Sequence, residues 1–550
     1  MNSKIHVAII DDGVTAEVFN TNMLYDIEMV SSLPIHFQTS TSAAQDKPLE
    51  DERQNTYMMN HGTLCAGIVQ AYFPNAVISS VKILKQRKGN ADQLCAALRW
   101  CVKHGVQVAN ISLGSTDFRD RTLLREVVNE VAAAGLIMVS AAHNGGFLTY
   151  PASFSNVIGV ECDRSGNLAA GQYRYNLEAA FGGGIEFTAF ARHALTDVLG
   201  GTVLCPNSNS YAAPLITAQV CMLLQSSKCI YSIELLKNEL QEHSCNLVQA
   251  SRLPVQRYRN PDWIQCAFVF KAGAATCTVA PYYFQIQREI LISSQEAVPV
   301  IKAVLVQEHE QQRTTIEVGK YIEQTESITD TLILLGHMDA VTLRQVSQLA
   351  IQYGKHVVYA GEWQCDIPTM GFFSRQLRLW HGEVGLQREL EKYKEGKSLE
   401  IPFVAIYYDG EMDIFYFLHL LKMSFVRDGY HCWVAMDQSR AVLHDMEYIC
   451  FSRTVNRMEE LVCCCNKTAS MAHADVVILC LEARQGLDGL RKQNSPDTEL
   501  ELWLQTTEGS EAIRISIVSN NKLLEKRTLQ GLNVEAIDAL YKYIEYVLVN

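Results

Sequence analysis

No basic excess runs through this 550-residue chain: 47 lysines and arginines stand against 60 aspartates and glutamates, for a formal net charge of -13. A nucleic-acid binder needs a basic face to displace counterions from phosphates, so that class of partner is excluded. Long apolar runs are missing too. A membrane-spanning helix needs about 18–20 consecutive apolar residues, whereas runs such as Val476 to Leu481 have the length of buried strands. No membrane partner is expected. The N-terminus lacks the charged region, long apolar stretch and small-residue cleavage site of an export signal, because Met1 to Lys4 lead directly into Ile5 to Ile10. A cytoplasmic location is the expectation. There is no internal repeat and no low-complexity tract. Charge is sparse at 19% against 48% hydrophobic residues, a balance that excludes a disordered chain.

Cysteine is plentiful, but a pairing pattern is absent. The 17 cysteines are odd in number and irregularly spaced, so reduced thiols are expected. The run Cys463-Cys464-Cys465 has no CxxC partner nearby, and adjacent side chains point in different directions. No metal site is expected there.

What is present is alternation. From Ile5 to about Ser226, short apolar runs (Val7 to Ile10, Val77 to Ile83, Val106 to Ile111, Leu136 to Ser140) alternate with amphipathic helical patterns at Leu94 to Lys103 and Thr122 to Ala132. This predicts an α/β domain, a doubly wound parallel sheet with helices on both faces. Ile230 to Glu242 reads as a further helix, and the proline- and arginine-rich stretch Arg252 to Pro261 as the end of the domain. The expected organisation is a first domain over 1–245, a β-rich connector over 246–295 and a second α/β region over 296–550. Strands are expected there at Ala303 to Val306, Thr331 to Leu335, His356 to Tyr359, Phe403 to Tyr407, Val476 to Leu481 and Ile513 to Val518. The lysine- and glutamate-rich segment Leu390 to Glu400 divides that region into lobes of 296–395 and 401–550.

Three segments carry chemistry. Val7 to Val14 is an apolar strand ending in Asp11, where open parallel sheets gather functional groups; taken alone, Asp-Gly is a turn. Asn60 to Val69 places His61 at the start of a segment of small residues; a lone histidine is usually a satisfied core or surface group. Asn207 to Ala218 sets Ser210 near the start of an apolar helix, whose dipole favours developing negative charge; the plainer role is an N-cap. Together they occur in the order Asp, His, Ser, one of the convergent triad orders.

At this point the chain resembles the subtilisin-like serine peptidases, or subtilases. Val7 to Val14 is similar to their aspartate motif, His61-Gly-Thr-Leu-Cys-Ala-Gly67 to their histidine motif and Ser210-Tyr-Ala-Ala-Pro214 to their serine motif. Val108 to Gly114 resembles the substrate-binding strand and Val139 to Gly146 the oxyanion segment. The resemblance implies a triad of Asp11, His61 and Ser210, with Asn144 as oxyanion donor and Ser112, Leu113 and Gly114 binding an extended peptide. It implies no metal or organic cofactor. Asn144 alone would read as a turn residue of an Asn-Gly pair.

The chain departs from the family pattern in three places. Asp12 follows the aspartate and is expected to raise the local pKa or to bind a cation or a basic substrate residue. Ser208 and Asn209 stand where Gly-Thr is usual, and His143 where glycine is usual. These departures keep open a binding scaffold that retains the groove without the rate.

In the C-terminal half, Phe403 to Leu421 has the strand, loop and helix layout of a P-loop without its Gly-Lys-Ser/Thr. It reads as a degenerate P-loop-like or Rossmann-like region, with an NTP-dependent regulator as the alternative. The overall architecture resembles peptidases of bacterial peptide-maturation clusters, which remove leader segments from precursor peptides. That resemblance implies a precursor-peptide substrate and a C-terminal region that binds a maturation enzyme or forms a homodimer. Asp11 lies so near the start that no folding propeptide is expected, which points to restraint by substrate selectivity.

Overall fold

The computed structural model describes residues 4–30, 33–37, 59–85, 88–176, 183–226, 232–246, 258–272, 278–293, 295–317, 328–361, 377–382, 401–409, 412–449, 458–483, 499–506, 512–520 and 522–549. The chain forms two compact units, Met1–Tyr258 and Arg259–Asn550.

In the first unit, the strands are β1 (Ile5–Asp11), β2 (Met23–Val30), β3 (Leu33–Phe37), β4 (Ala76–Lys82), β5 (Val108–Ile111), β6 (Ile137–Ala141), β7 (Ile158–Cys162), β8 (Tyr173–Tyr175) and β9 (Phe187–Ala189). They form one sheet in the order β3-β2-β4-β1-β5-β6-β7-β9-β8. The run from β2 to β9 is parallel, and antiparallel β3 and β8 close its edges. A short antiparallel pair, β10 (Ala194–Thr196) and β11 (Thr202–Leu204), stands apart.

Strand periodicity explains how β1 holds the centre. Val7 and Ile9 face α1 (His61–Tyr72) and α4 (Asn209–Ser226), packing with Leu64, Ile68, Ala212 and Ile216. Ala8 and Ile10 face α2 (Ala91–Lys103) and α3 (Arg121–Ala133), packing with Leu94, Leu98, Leu124 and Val128. Burial on both faces is what makes these strands nearly continuous apolar runs. A fifth helix, α5 (Ile233–Glu242), follows α4. This two-sided packing brings the carboxyl ends of β1, β5 and β6 to one edge, where the candidate residues lie.

The second unit holds two sheets. The first contains β12 (Cys266–Ala272), β13 (Gln285–Ile292), β14 (Thr331–Leu335), β15 (His356–Ala360) and β16 (Leu379–His381) in the order β13-β12-β14-β15-β16, all parallel. In chain order this is 2-1-3-4-5, the order of flavodoxin-like sheets. Here the structure corrects the expected connector. The β-rich stretch could have been an extension or a hairpin, but β12 and β13 pair in parallel, and both strands belong to this sheet. The expected strand Ala303 to Val306 is instead inside a helix, Ala297–Glu317. Ala297, Ile301, Val304 and Leu305 are buried at helical spacing, a period that a four-residue apolar run does not reveal.

The second sheet contains β17 (Phe403–Tyr408), β18 (Cys432–Met436), β19 (Glu447–Tyr448), β20 (Val476–Glu482), β21 (Leu500–Thr506), β22 (Ala512–Ser519) and β23 (Lys522–Gln530) in the order β19-β18-β20-β17-β21-β22-β23. It is parallel from β19 to β21 and antiparallel beyond. The order is not the dinucleotide-binding 3-2-1-4-5-6. Leu390 to Glu400 and the Gly410–Glu411 loop after β17 lie outside the described residues. Among the described residues, no helix is long and apolar enough to cross a membrane. The described cysteines are free thiols, buried except for Cys245.

Candidate active site

Asp11 is the last residue of β1 and is 0% exposed. Its Oδ2 accepts a hydrogen bond from His61 Nδ1 at 2.8 Å, and its Oδ1 accepts one from the Asp12 backbone N–H at 2.8 Å. His61 is the first residue of α1. The helix comes this close to the strand because Gly62 has no side chain: a Cβ there would lie 2.3 Å from Gly13 O and 3.1 Å from Asp11 Cβ. Burial is the largest influence on the Asp11 carboxyl and raises its pKa. The hydrogen bond and charge of His61 oppose that rise, and the nearby Asp12 carboxylate adds to it.

Asp12 raises the Asp11 pKa, as its sequence position implied, and it has a second employment as a helix cap. Its Oδ2 accepts the His61 N–H at 3.1 Å and its Oδ1 the Gly62 N–H at 2.8 Å. The N-cap Asn60 accepts the Thr63 N–H at 3.2 Å. Both Asp12 oxygens therefore cap α1, satisfying donors that the first helical turn leaves without intrahelical partners. Asp12→Ala should cost about 1 kcal/mol of stability, measured as a lower urea midpoint.

Ser210 is the second residue of α4. Its Oγ donates to Ser112 O at 3.3 Å. The ring of the next residue, Tyr211, lies 5.0 Å from that of His61. Ser210 lines a cavity of about 540 Å³ together with Ser112, Leu113, Gly114, Ala142 and Asn144. The implied substrate strand and oxyanion segment thus meet the serine in one cleft. Gly114 is required there, since a Cβ would sit 2.4 Å from Thr149 Cγ2.

Asn144 is oriented from both ends. Its Oδ1 accepts the Asn209 N–H at 3.0 Å, leaving the Nδ2 amide directed toward Ser208 Oγ at 3.4 Å. Arg164 donates to the Asn144 carbonyl. Asn209 is buried and makes two further bonds, accepting from Cys162 N at 2.8 Å and donating to Ala142 O at 3.0 Å. It ties the head of α4 to the ends of β6 and β7. His143 Nδ1 accepts the Gly145 N–H at 3.0 Å, and its ring packs 5.3 Å from Phe147.

One neighbour was not singled out by the sequence reading. Cys65 lies one turn beyond His61 on the same face of α1, with Sγ 3.9 Å from both Asp11 Oδ2 and His61 Nδ1. The i, i+4 spacing in the histidine motif was the signal that could have found it. Asp11, His61 and Cys65 are also the described group whose ligand atoms all lie within 4.8 Å. Burial pushes the Cys65 thiol well above its ordinary pKa, so it holds its proton, and the Asp11–His61 pair is already hydrogen-bonded. The arrangement is suited to proton transfer from a hydroxyl through an oriented imidazole.

A buried carboxylate bonded to a histidine lies at the same sheet edge as a serine at a helix head, an arrangement similar to that of subtilisin-like serine peptidase domains. Residues 2–248 match the model of the subtilase family, Peptidase_S8. The alkaline protease of Alkalihalobacillus alcalophilus is 26% identical over 199 residues, which are 34% of this chain and 50% of that protein. Subtilisin Savinase of Lederbergia lenta is 26% identical over 199 residues, covering 34% of this chain and 71% of its own. Subtilisin DY of Bacillus licheniformis is 24% identical over 261 residues, 44% of this chain and 85% of its own. The chain thus spans half the length of the first relative. Among solved structures, the nisin leader peptidase NisP from Lactococcus lactis covers 43% of this chain and 81% of that one, at 18% identity and a TM-score of 0.31.

Proposed function

We propose that the protein is a serine endopeptidase whose triad is Asp11, His61 and Ser210. The observation that carries this reading is the 2.8 Å bond between fully buried Asp11 and His61 Nδ1, which presents the opposite ring nitrogen as a base. His61 takes the Ser210 proton as Oγ attacks the peptide carbonyl. Asp11 stabilises the imidazolium, and His61 then protonates the leaving amine. Water releases the acyl-enzyme by the same route in reverse. The Asn144 amide and the Ser210 N–H hold the carbonyl oxygen as it becomes an oxyanion. Asn144→Ala is expected to lower kcat about 10²–10³-fold with KM little changed, read from steady-state hydrolysis.

The substrate is an extended peptide that lies against Ser112, Leu113 and Gly114 as an added strand. A cleft of that kind accepts unfolded segments, which favours a precursor peptide carrying its cleavage site in an unstructured leader. In the second unit, the P-loop-like reading of 403–421 goes no further than a non-hydrolysing relic. Asp413 caps the helix Ile414–Arg427, accepting from Tyr416 N at 3.1 Å, Val279 N at 2.9 Å and Thr278 Oγ1 at 2.7 Å. A carboxylate at that helix end opposes a phosphate.

The test is labelling of the full chain by a fluorophosphonate, with the modified residue located by mass spectrometry. Labelling at Ser210 supports the peptidase. An unlabelled protein that still binds extended peptides would be the scaffold instead.

A further inference from the structure

Pro214 lies inside α4, four residues after Ser210. Proline has no N–H, so the helical bond that would close on the Ser210 carbonyl cannot form. A buried carbonyl deprived of its donor is costly unless another is found. Two side chains reach it from outside the helix. Ser112 Oγ lies 3.3 Å from Ser210 O, and Cys65 Sγ lies 3.6 Å from the same atom. They also touch each other, with Cys65 Sγ 3.4 Å from Ser112 Oγ.

The Ser112 hydroxyl is itself held in place. Asn110 Nδ2 donates to Ser112 Oγ at 2.9 Å, and Thr217 Oγ1, further along α4, lies 3.0 Å from Asn110 Oδ1. Thr217 Oγ1 shares its proton between Asn110 Oδ1 and Ala213 O, each at 3.0 Å; with Asn110 Nδ2 donating to Ser112 Oγ, the Ser112 proton is directed to the Ser210 carbonyl. Cys65, Asn110 and Thr217 are 0% exposed and Ser112 is 9% exposed, so the side chains that make these bonds are shielded from water. The network links three elements (α1 through Cys65, β5 and the loop after it through Asn110 and Ser112, and α4 at both ends) around the residue whose Oγ reacts.

We propose that Cys65 and Ser112 are positioning residues that anchor Ser210 through its own carbonyl, replacing the helical donor that Pro214 cannot supply. The inference rests on Ser210 being the nucleophile. It gives the Cys65 thiol a use as a hydrogen-bond donor rather than a reactive group, and Ser112 a side-chain role separate from any backbone contact with substrate. The loss of either donor lets the first turn of α4 relax, and Oγ with it, while the substrate strand keeps its backbone.

The experiment compares full-length wild type with Cys65→Val, Cys65→Ser and Thr217→Val. One readout is the rate at which diisopropyl fluorophosphate modifies Ser210: the Oγ–P bond forms, fluoride leaves and the Ser210 proton passes to His61. The other is kcat and KM on a peptide that the wild type cleaves. Cys65→Val, which keeps the bulk but not the donor, should slow both modification and kcat about tenfold while KM stays within about twofold. Cys65→Ser, which restores a donor, should recover most of that loss. Thr217→Val acts from the far end of the network, out of reach of the reacting atoms, and should slow modification about threefold. It keeps the test available should a change at Cys65 prevent folding. Modification at the wild-type rate in both valine variants overturns the anchoring role. A change in stability alone, with kcat and the modification rate preserved, also overturns it, because it would mean the network only holds the fold. A wild type that is not modified at Ser210 would remove the peptidase reading itself and this inference with it, an outcome visible before any variant is made.

Discussion

Ser210→Ala is expected to lower peptide hydrolysis about 10⁶-fold, since a triad without its nucleophile loses the acyl-enzyme path and keeps only what binding and the oxyanion donors supply. The fold should tolerate the change, because the Ser210 hydroxyl makes a long 3.3 Å contact with Ser112 O, and alanine is a strong helix former at this position in α4. An unbiased peptide library, digested by wild type and variant and read by mass spectrometry, measures both the loss and the specificity. Products from the wild type alone establish serine-peptidase chemistry and show whether cleavage follows a narrow motif, as a precursor processor requires. Equal products from both would move the activity elsewhere, and silence from both would favour a groove that binds without cutting.

Asp11→Asn should act in opposite directions on activity and stability. Asparagine keeps the shape of the side chain, but its amide presents a donor to His61 Nδ1 and so reverses the tautomer needed for base catalysis. The expected loss in kcat is about 10⁴-fold. Stability should rise. Burial, the main influence on Asp11, lifts its carboxyl above the value it has in the unfolded chain. The folded state therefore holds more protons than the unfolded state between those two values, and stability falls as pH rises through that window. At neutral pH the ionised carboxylate is a net cost that asparagine removes, with Tm rising about 2–4 °C for each kcal/mol relieved. The gain should shrink in acid as wild-type Asp11 takes up its proton. A Tm for Asp11→Asn below that of wild type at pH 7 would show that the His61 bond outweighs desolvation.

Much of the site was legible because its parts are local. β1 ending at Asp11, α1 beginning at His61 and α4 beginning at Asn209 are each announced by apolar period and small residues within one segment. What escaped the sequence depends on contacts between segments. Asp12 reads as a free second carboxylate until α1 is brought over the end of β1, when both of its oxygens meet helix N–H groups. Ser208 and Asn209 read only as a replacement for the usual Gly-Thr, yet the Asn209 amide is what joins β6, β7 and α4. The second unit shows the same limit. Ala303 to Val306 is apolar enough for a strand, and only the neighbours Ala297 and Ile301 expose the helical face. For β12 and β13, the β character of the stretch was visible but the partner was not: parallel pairing joins residues far apart in sequence, and nothing in either strand states its direction.

The cap that Asp12 places on α1 bears on the energy of the reaction itself. A helix beginning carries roughly half a unit of positive charge and resists a cation placed upon it, and His61 occupies that position. By taking up the two N–H groups there, Asp12 cancels the field that an imidazolium would otherwise be formed against. In the proposed mechanism, the proton leaving Ser210 therefore arrives on a ring bonded to one carboxylate, at a helix start whose N–H groups are taken up by a second, so charge separation in the first step runs with the local potential.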